Sequence, residues 1–413
     1  MLVASEDFII VEKNETLDIV YSPYSNKVLA ISKEGTSILR EIVRCCKESK
    51  GRIEKIYNDY NKEDVDYLLD ILVENKMLFL SGEEMKKADY SLHYKENSMF
   101  FIHKAYLHLT QKCNLKCKYC YNASNLGKTE DMSTQEWKNI ILKLKKEGFD
   151  YIVFTGGEVF LRKDLIELTD YVKQLDMTLH ILTNGTFQIP EYILEKADKV
   201  EISLDSTNEA INEENRVNSK NYKVYKNILQ IPPKMRKKIV IKTVLSKTNY
   251  DSILKTKKEL QKNGFMENEI ILQQPNSEKE IDIYPEKVLP REKHRFDGKM
   301  TSKCNGCYEI IAVNADGNIY PCQALIKKEL VLANIFDENW KEEIKNHKLT
   351  EIFMEDDITT SECRECPFRY ICGGPCKAVS YNTTKSLLNG RGDYCKRAKK
   401  EAVEYIKSID FGD

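Results

Sequence analysis

The chain has little of what marks a membrane, secreted or nucleic-acid-binding protein. No uninterrupted apolar run approaches the roughly 20 residues that a membrane-spanning helix needs. The segment 1–7 lacks the basic region and long apolar core of a signal peptide. Lysine and arginine number 64 against 65 aspartate and glutamate, giving a formal charge of −1, so no overall field favours nucleic acid or an anionic membrane. We therefore expect a cytoplasmic protein that binds neither.

Cysteine, in contrast, is plentiful. The 413 residues include 13 cysteines, and the length allows two or three domains of roughly 100 to 200 residues each. In a reducing compartment, cysteines favour metal ligation over disulfides. Cys45 and Cys46 are adjacent in a helix-like segment and point to different faces, so we interpret them as ordinary thiols.

Three cysteines, Cys113, Cys117 and Cys120, form the pattern C-x-x-x-C-x-x-C on a loop that follows the β-prone run 105–110. Three thiolates ligate only three irons of a four-iron cubane, so the fourth iron is free to bind a group that is not protein. A zinc knuckle is the alternative interpretation of such a motif.

A second β-rich run, 151–154, ends at a turn that contains Gly156, Gly157 and Glu158. Two glycines allow the backbone to approach a ligand closely. Glu158 would then present its carboxylate to an ammonium group.

The cysteine triad and the Gly-Gly-Glu turn together resemble the radical S-adenosylmethionine (SAM) superfamily, although Val159 stands where that family often has proline. The resemblance implies an α/β fold, an open six-stranded (β/α)6 partial barrel over 101–298, and a 4Fe-4S cluster whose free iron binds SAM. Alternating strand-like and helix-like runs agree with a parallel sheet. Strands are predicted near 105–110, 151–155, 178–183, 199–204, 238–245 and 269–274.

The resemblance also suggests SAM contacts at strand ends, where ligands of such sheets gather. Besides Gly156, Gly157 and Glu158, the predicted cofactor-binding residues are Asn184, Ser203, Asp205 and Arg216. For Arg216, a solvated surface salt bridge is an equal alternative. His108 follows the lumen-facing alternation of its strand, but a hydrogen-bonded packing histidine is the favoured interpretation.

Eight more cysteines lie beyond residue 300, which is the complement for two fully ligated four-iron clusters. Their spacing, with a tight turn at Gly317, resembles the twin-cluster SPASM extension of radical SAM enzymes, here 299–413. The resemblance assigns Cys304, Cys307, Cys322 and Cys376 to one auxiliary cluster. It assigns Cys363, Cys366, Cys372 and Cys395 to the other, for three 4Fe-4S clusters in all. Two zinc sites are the alternative.

Residues 1–90 differ in character, with three short strand-like runs followed by helical runs. This order resembles the winged-helix RiPP recognition element, which binds the leader of a ribosomally made precursor peptide, with 91–100 as a linker. A leader adds as a strand to an exposed sheet edge. A DNA-reading winged helix or a structural cap are the alternatives, and the balanced charge disfavours the first.

Together these resemblances imply an enzyme that cleaves SAM to a 5′-deoxyadenosyl radical and oxidatively installs a thioether in a precursor peptide, with a flavodoxin- or ferredoxin-type electron donor. Carbon–carbon or carbon–oxygen crosslinking and epimerisation are the alternatives. Sulfatase maturation fits less well, because Gln323 and Ala324 stand where that subgroup has an aspartate base. An iron–sulfur electron carrier or a peptide-binding adaptor is the alternative from another class. No catalytic base is identified.

Overall fold

A computed structural model describes residues 2–3, 8–48, 54–80, 102–128, 130–271, 283, 285–296, 304–356, 358, 361–388 and 393–411. Of the described helices, none is long and apolar enough to cross a membrane. The predicted linker 91–100 lies outside the described residues.

The N-terminal part combines a small sheet with two helices. Its elements are β1 (Leu2–Val3), β2 (Ile9–Glu12), β3 (Leu17–Ser22), β4 (Lys27–Ser32), α1 (Lys33–Glu48), α2 (Lys62–Glu74) and β5 (Phe79–Leu80). Strands β2, β3 and β4 form an antiparallel sheet in that order, and β1 pairs with β5. The three predicted strands and the following helices are therefore present, in the predicted order.

The central part alternates strands and helices. Its elements are β6 (Lys104–Thr110), β7 (Lys116–Cys117), α3 (Thr134–Lys146), β8 (Tyr151–Gly156), α4 (Leu165–Gln174), β9 (Thr178–Thr183), α5 (Glu191–Lys196), β10 (Lys199–Ser203), α6 (Glu209–Asn215), β11 (Arg216–Val217), α7 (Val224–Leu229), β12 (Ile239–Val244), α8 (Ile253–Lys262) and β13 (Glu267–Ile271). Ser133 and Glu136 form the capping box that the sequence predicts at the start of α3.

The C-terminal part is mostly helical. Its elements are β14 (Ile310–Val313), β15 (Asn318–Tyr320), β16 (Ala333–Asn334), α9 (Trp340–Asn346), α10 (Lys348–Glu355), α11 (Arg369–Cys372), α12 (Lys377–Thr384) and α13 (Asp393–Lys407).

One large sheet joins the central and C-terminal parts, with the strand order β13-β12-β10-β9-β8-β6-β14-β15-β16. The first six strands are the predicted ones, and neighbouring pairs among them are parallel. Beyond them β14 pairs in parallel with β6, and β15 and β16 extend the edge in antiparallel orientation. The sheet therefore continues three strands past the predicted six.

Alternation along each strand separates the two faces of this sheet. On β6, Ala105, Leu107 and Leu109 pack into the main core, as do Val200 and Ile202 on β10. The alternate residues face the opposite side, because successive side chains of a strand point to opposite faces. The cysteine loop leaves the carboxyl end of β6, at the edge where ligands of parallel sheets bind.

The small N-terminal sheet is covered on both faces. Val20 packs with α1 and α2, together with Leu29 and Ile31. On the other face, Val11, Ile19 and Tyr21 pack against α13 and the end of the chain, where Ile406 and Ile409 are buried. The N-terminal part thus shares an apolar core with the C-terminal part.

Candidate active site

The Gly-Gly-Glu turn packs directly on the backbone of the cysteine loop. The Gly157 N–H donates to the Thr110 carbonyl at 2.7 Å, and the Glu158 N–H donates to the Lys112 carbonyl at 2.8 Å. A Cβ atom at Gly156 would lie 2.3 Å from the Thr110 oxygen, and one at Gly157 would lie 2.0 Å from the Lys112 oxygen. The two glycines therefore allow protein backbone to approach, where the sequence suggested approach to a ligand.

Glu158 is fully buried beneath this turn. Its carboxylate accepts hydrogen bonds from the Thr183 hydroxyl at 2.8 Å, the Asn184 N–H at 2.7 Å and the Phe160 N–H at 3.1 Å. Burial raises the pKa of Glu158 to about 7, although these hydrogen bonds lower it. A cation bound beside the carboxylate would stabilise its charged form, so the site fits an ammonium group.

Asn184 connects the end of β9 to the first cysteine. Its Nδ2 lies 3.8 Å from the Cys113 sulfur and donates to Asn114 Oδ1 at 2.9 Å, while its Oδ1 accepts from the Thr186 hydroxyl at 2.7 Å. The structure therefore brings Asn184 to the cysteine loop, as the sequence suggested for a residue of this site.

The three thiols of the loop are partly buried. Burial raises the pKa of Cys113 and of Cys120, and it raises the pKa of Cys117 to about 12, with further increases from the other two thiols. The Arg216 charge lowers the pKa of Cys117 and Cys120. Bound iron would supply further positive charge that stabilises the thiolates.

Arg216 and Asp205 form a buried ion pair under this loop. Arg216 Nε lies 3.2 Å from Asp205 Oδ1, with side chains that are 7% and 0% exposed. Burial alone would lower the pKa of Arg216, but the Asp205 carboxylate raises it above its usual value. The interpretation of Arg216 as a solvated surface salt bridge is therefore wrong.

The ion pair also positions the cysteine loop. Strand β11 pairs with β7 so that Arg216 is opposite Cys117. The Tyr119 hydroxyl donates to Asp205 Oδ2, and the Arg216 guanidinium lies 5.4 Å from the centre of the Tyr119 ring. Ser203, which ends β10, precedes Asp205 by two residues.

His108 is fully buried, but it is not hydrogen-bonded as the favoured interpretation supposed. Neither ring nitrogen has a hydrogen-bond partner within the described part of the chain. Burial lowers the pKa of His108 to about 3, so the ring is neutral. It packs edge-on against Tyr121, with ring centroids 6.3 Å apart.

A polar network that the sequence did not indicate ties the cysteine loop to the C-terminal part. Gln111 Nε2 donates to Asn314 Oδ1, and Asn122 Nδ2 donates to Gln111 Oε1 at 2.8 Å. Asn125 adds a hydrogen bond to the Ile326 carbonyl at 3.1 Å. The sequence could not indicate the Gln111–Asn314 contact, because the two residues are 203 positions apart.

The eight C-terminal cysteines form two groups. Burial raises the pKa of Cys322, and Cys304, Cys376 and Cys307 raise it further. In the second group, burial raises the pKa of Cys372 to about 11, with further increases from its neighbours Cys363, Cys366 and Cys395.

This grouping coincides with the two ligand sets that the resemblance assigns. Among the described residues, no three His, Cys, Asp or Glu side chains are spaced to hold a single metal ion. Cys363, Cys366, Cys372 and Cys395 line one cavity.

Comparisons with known proteins agree with these observations. Residues 107–263 match the radical SAM superfamily, and residues 294–367 match the iron–sulfur cluster-binding domain SPASM. The antilisterial bacteriocin subtilosin biosynthesis protein AlbA of Bacillus subtilis is 25% identical over 394 residues, which cover 86% of this chain and 84% of AlbA.

Two solved structures are similar over long stretches. Streptococcus suis SuiB bound to its precursor peptide SuiA superposes with a TM-score of 0.57 at 16% identity, covering 96% of this chain and all of SuiB. The anSMEcpe structure with bound AdoMet and a Cp18Cys peptide has a TM-score of 0.56 at 20% identity, covering 73% of this chain and 95% of that one.

The matched domains and the cysteine loop beside the Gly-Gly-Glu turn define the class of protein. The chain carries a radical SAM domain over residues 107–263. A C-terminal SPASM iron–sulfur cluster-binding domain follows over residues 294–367.

Proposed function

We propose that the protein is a radical SAM peptide maturase that oxidatively installs a thioether crosslink in a ribosomally synthesised precursor peptide. The observation that carries the proposal is similarity along most of the chain to AlbA, a subtilosin biosynthesis protein. The fold shared with peptide-bound SuiB supports it further. A cytoplasmic setting and a flavodoxin- or ferredoxin-type electron donor are parts of the same proposal.

The residues of the site divide the work of holding SAM and its cluster. Cys113, Cys117 and Cys120 would ligate three irons of a 4Fe-4S cluster, and that cluster with SAM would supply one-electron cleavage to a 5′-deoxyadenosyl radical. Glu158 would receive the SAM ammonium group, while Gly156 and Gly157 allow the turn to pack on the backbone of the cysteine loop. Four strand-end residues would complete the SAM pocket: Asn184, Ser203, Asp205 and Arg216. Two of them, Arg216 and Asp205, also hold the cysteine loop in position.

Thioether formation requires two electrons to leave the peptide. A carbon of the peptide must lose a hydrogen atom, for which the 5′-deoxyadenosyl radical would be the acceptor. The thiol must lose its proton, and one further electron must leave as the C–S bond forms. We assign that electron to the auxiliary clusters, whose reduction potentials span roughly −700 to +450 mV according to environment. Cys322 and its three neighbours would hold the first cluster, and Cys372 and its three neighbours the second.

An anaerobic reaction tests this proposal. Reconstituted protein is incubated with SAM, dithionite and a candidate precursor, a cysteine-containing peptide from a short reading frame sought beside the gene. Mass spectra are recorded before and after thiol alkylation. Loss of paired hydrogens together with loss of an alkylatable thiol is the expected result. The same mass loss with every thiol intact would instead indicate a carbon–carbon or carbon–oxygen crosslink. An unchanged mass with 5′-deoxyadenosine formed would direct the test to epimerisation.

The alternative from another class is an electron carrier or peptide-binding adaptor. Such a protein would form no 5′-deoxyadenosine from SAM under reducing conditions. The enclosed cysteine triad and the buried Glu158 support the enzyme over this alternative.

Iron content tests the proposed clusters. Three clusters correspond to about 12 irons per chain, and loss of one four-iron cluster leaves about eight. The variants Cys113→Ala/Cys117→Ala, Cys304→Ala/Cys307→Ala and Cys363→Ala/Cys366→Ala should each lose one cluster, measured by iron and sulfide analysis. Only the first should lose the spectral change caused by SAM. Cys46→Ala is the control and should retain all the iron, whereas zinc in place of iron would refute the assignment.

The N-terminal part is proposed to bind the leader of the precursor. Its sheet is covered on both faces, and β4 pairs on one side only, with β3, among the described strands. The β4 edge therefore offers main-chain groups to an added strand, which is how leaders can be captured. Deleting residues 1–90 is a poor test, because it would expose the buried Ile406 and Ile409 of the C-terminal part.

Proline substitutions in β4 provide a sharper test. Successive N–H groups of a strand point in opposite directions. Of the variants Leu29→Pro and Ala30→Pro, one therefore removes an N–H that faces β3, and the other removes an N–H that faces the open edge. We expect one variant to lose leader binding by about fivefold while keeping its melting temperature, since a lost hydrogen bond contributes roughly 1 kcal/mol. Fluorescence anisotropy with a labelled leader measures the binding. Wild-type affinity in both variants would exclude this edge.

A further inference from the structure

A row of side chains crosses five strands on the sheet face opposite the helices. It consists of Lys104, Tyr151, His180, Glu201 and Lys242, from β6, β8, β9, β10 and β12 in sheet order. Lys104 Nζ lies 4.3 Å from the centre of the Tyr151 ring, and the Tyr151 and His180 rings are 6.5 Å apart. His180 Nε2 is 3.9 Å from Glu201 Oε2, which lies 3.0 Å from Lys242 Nζ. We call these five residues and Lys199 the cross-strand row.

Positive charge exceeds negative charge in this row. Lys199 lies directly beside His180 in the strand register, so its side chain is on the same face. The single carboxylate, Glu201, pairs with Lys242. Neither Lys104 nor Lys199 forms an ion pair within the described part of the chain. Both lysines are half-buried, so their charges are only partly solvated.

Besides the excess of positive charge, a second and independent feature that points to a ligand is the side chain of His180. The residue is 7% exposed, and neither ring nitrogen has a hydrogen-bond partner among the described residues. The 3.9 Å separation from Glu201 is too long for a hydrogen bond. Burial, followed by the charges of Lys199, Lys104 and Lys242, lowers the pKa of His180 to about 3. The ring is therefore neutral, with one N–H available to donate.

The same sheet face leads from the row to the proposed reaction site. Tyr106, two residues after Lys104, packs against the cluster of Ala312, Tyr320 and Ile326. Tyr320 precedes Cys322 by two residues. Thr155 contacts the Tyr121 hydroxyl at 3.3 Å, and Tyr121 follows Cys120. A peptide that reaches between Cys120 and Cys322 therefore has this face as one wall.

We propose that the cross-strand row binds a carboxylate of the peptide substrate, with Lys104, Lys199 and His180 as its donors. The carboxylate belongs to an acidic side chain or to the C-terminus of the peptide. This inference rests on the proposed function, since it names what part of the substrate the face recognises. Because Glu201 already forms an ion pair with Lys242, the remaining donors of the site can bind only one carboxylate.

A substrate-independent test uses glutarate as the probe. The chain has six histidines, so selective ¹⁵N-histidine labelling of the reconstituted holoenzyme keeps the spectrum simple, and His180→Gln assigns the signal. Glutarate should shift the His180 signal saturably, and neutral glutaramide should not. Lys199→Gln should weaken binding about tenfold, because a hydrogen bond to a charged group contributes roughly 1.5–3 kcal/mol. Lys262→Gln, at the exposed end of α8, is the matched control. No shift, or an equal shift in Lys199→Gln, would overturn the proposal.

Peptide variants then identify the source of the carboxylate. Replacing the acidic side chains by amides, or amidating the C-terminus, should lower kcat/KM about tenfold for whichever group binds, by the same charge argument. That loss should disappear in Lys199→Gln. Equal kcat/KM for all peptides in the wild type would refute the assignment. If no peptide is modified at all, the proposed function fails, while the glutarate titration still decides whether the row binds carboxylates.

Discussion

Gly157→Ala should abolish SAM cleavage. The new Cβ would lie 2.0 Å from the Lys112 carbonyl oxygen and 2.5 Å from its carbon, and both atoms belong to the backbone just before Cys113. Neither can rotate away, so the cysteine loop must shift. A displacement of about 1 Å in such a site costs on the order of 100-fold in rate. We expect at least that loss in 5′-deoxyadenosine formation, measured by chromatography, together with reduced iron content.

Gly148→Ala is the matched control for this variant. Gly148 has a φ of +90°, but its added Cβ would meet nothing within 4 Å. Its cost is therefore only backbone strain, about 1–2 kcal/mol, with SAM cleavage retained. If Gly157→Ala kept more than a tenth of wild-type cleavage, the turn would not be positioning the cysteine loop as described.

Arg216→Met should destabilise the protein by about 3–5 kcal/mol, because it leaves the Asp205 carboxylate buried without its ion-pair partner. Asp205 is fully buried and also accepts the Tyr119 hydroxyl and the Val244 N–H, the latter at 3.1 Å. Anaerobic urea unfolding of the reconstituted protein, followed by circular dichroism, measures the change. The loss of unfolding free energy in Arg216→Met should exceed the loss in the double variant Arg216→Met/Asp205→Asn. The double variant no longer contains the buried, unpaired Asp205 carboxylate.

Lys341→Met is the control for the ion-pair experiment. Lys341 and Glu147 are separated by 3.0 Å, close to the Arg216–Asp205 distance, but their side chains are 43% and 41% exposed. Removing this pair should cost less than about 1 kcal/mol, since solvent screens exposed pairs. Equal losses in the two variants would mean that burial of the Arg216–Asp205 pair has no energetic consequence.

Much of the central architecture was predictable from local pattern. Short β-prone runs predicted the six parallel strands β6, β8, β9, β10, β12 and β13, but not the two-residue strands β7 and β11. Ser133 with Glu136 predicted the start of α3, because such signals lie within a few residues. The site motifs were predictable for the same reason, since each is a short run of residue types that a ligand requires.

The contacts that assemble the site were not predictable in this way. The Gln111–Asn314 hydrogen bond joins residues 203 positions apart, and the Arg216–Asp205 pair depends on how β11 meets β7. His108 shows the limit at one position: alternation placed it on the inner face, but nothing local indicated that its ring lacks a hydrogen-bond partner. Likewise, the sequence predicted that Gly156 and Gly157 allow a ligand to approach, whereas the atoms beside them belong to the backbone of the cysteine loop.

The packing of β2 and β3 against α13 has a consequence for biosynthesis. Lys13 donates to the Ile409 carbonyl at 2.8 Å, across 396 positions of the chain. On the ribosome, the apolar face formed by Val11, Ile19 and Tyr21 stays uncovered until nearly the whole chain has been translated. N-terminal segments normally fold first during synthesis, and exposed apolar surface promotes aggregation. The N-terminal sheet therefore exposes an aggregation-prone apolar face until α13, which also carries Cys395, can pack against it.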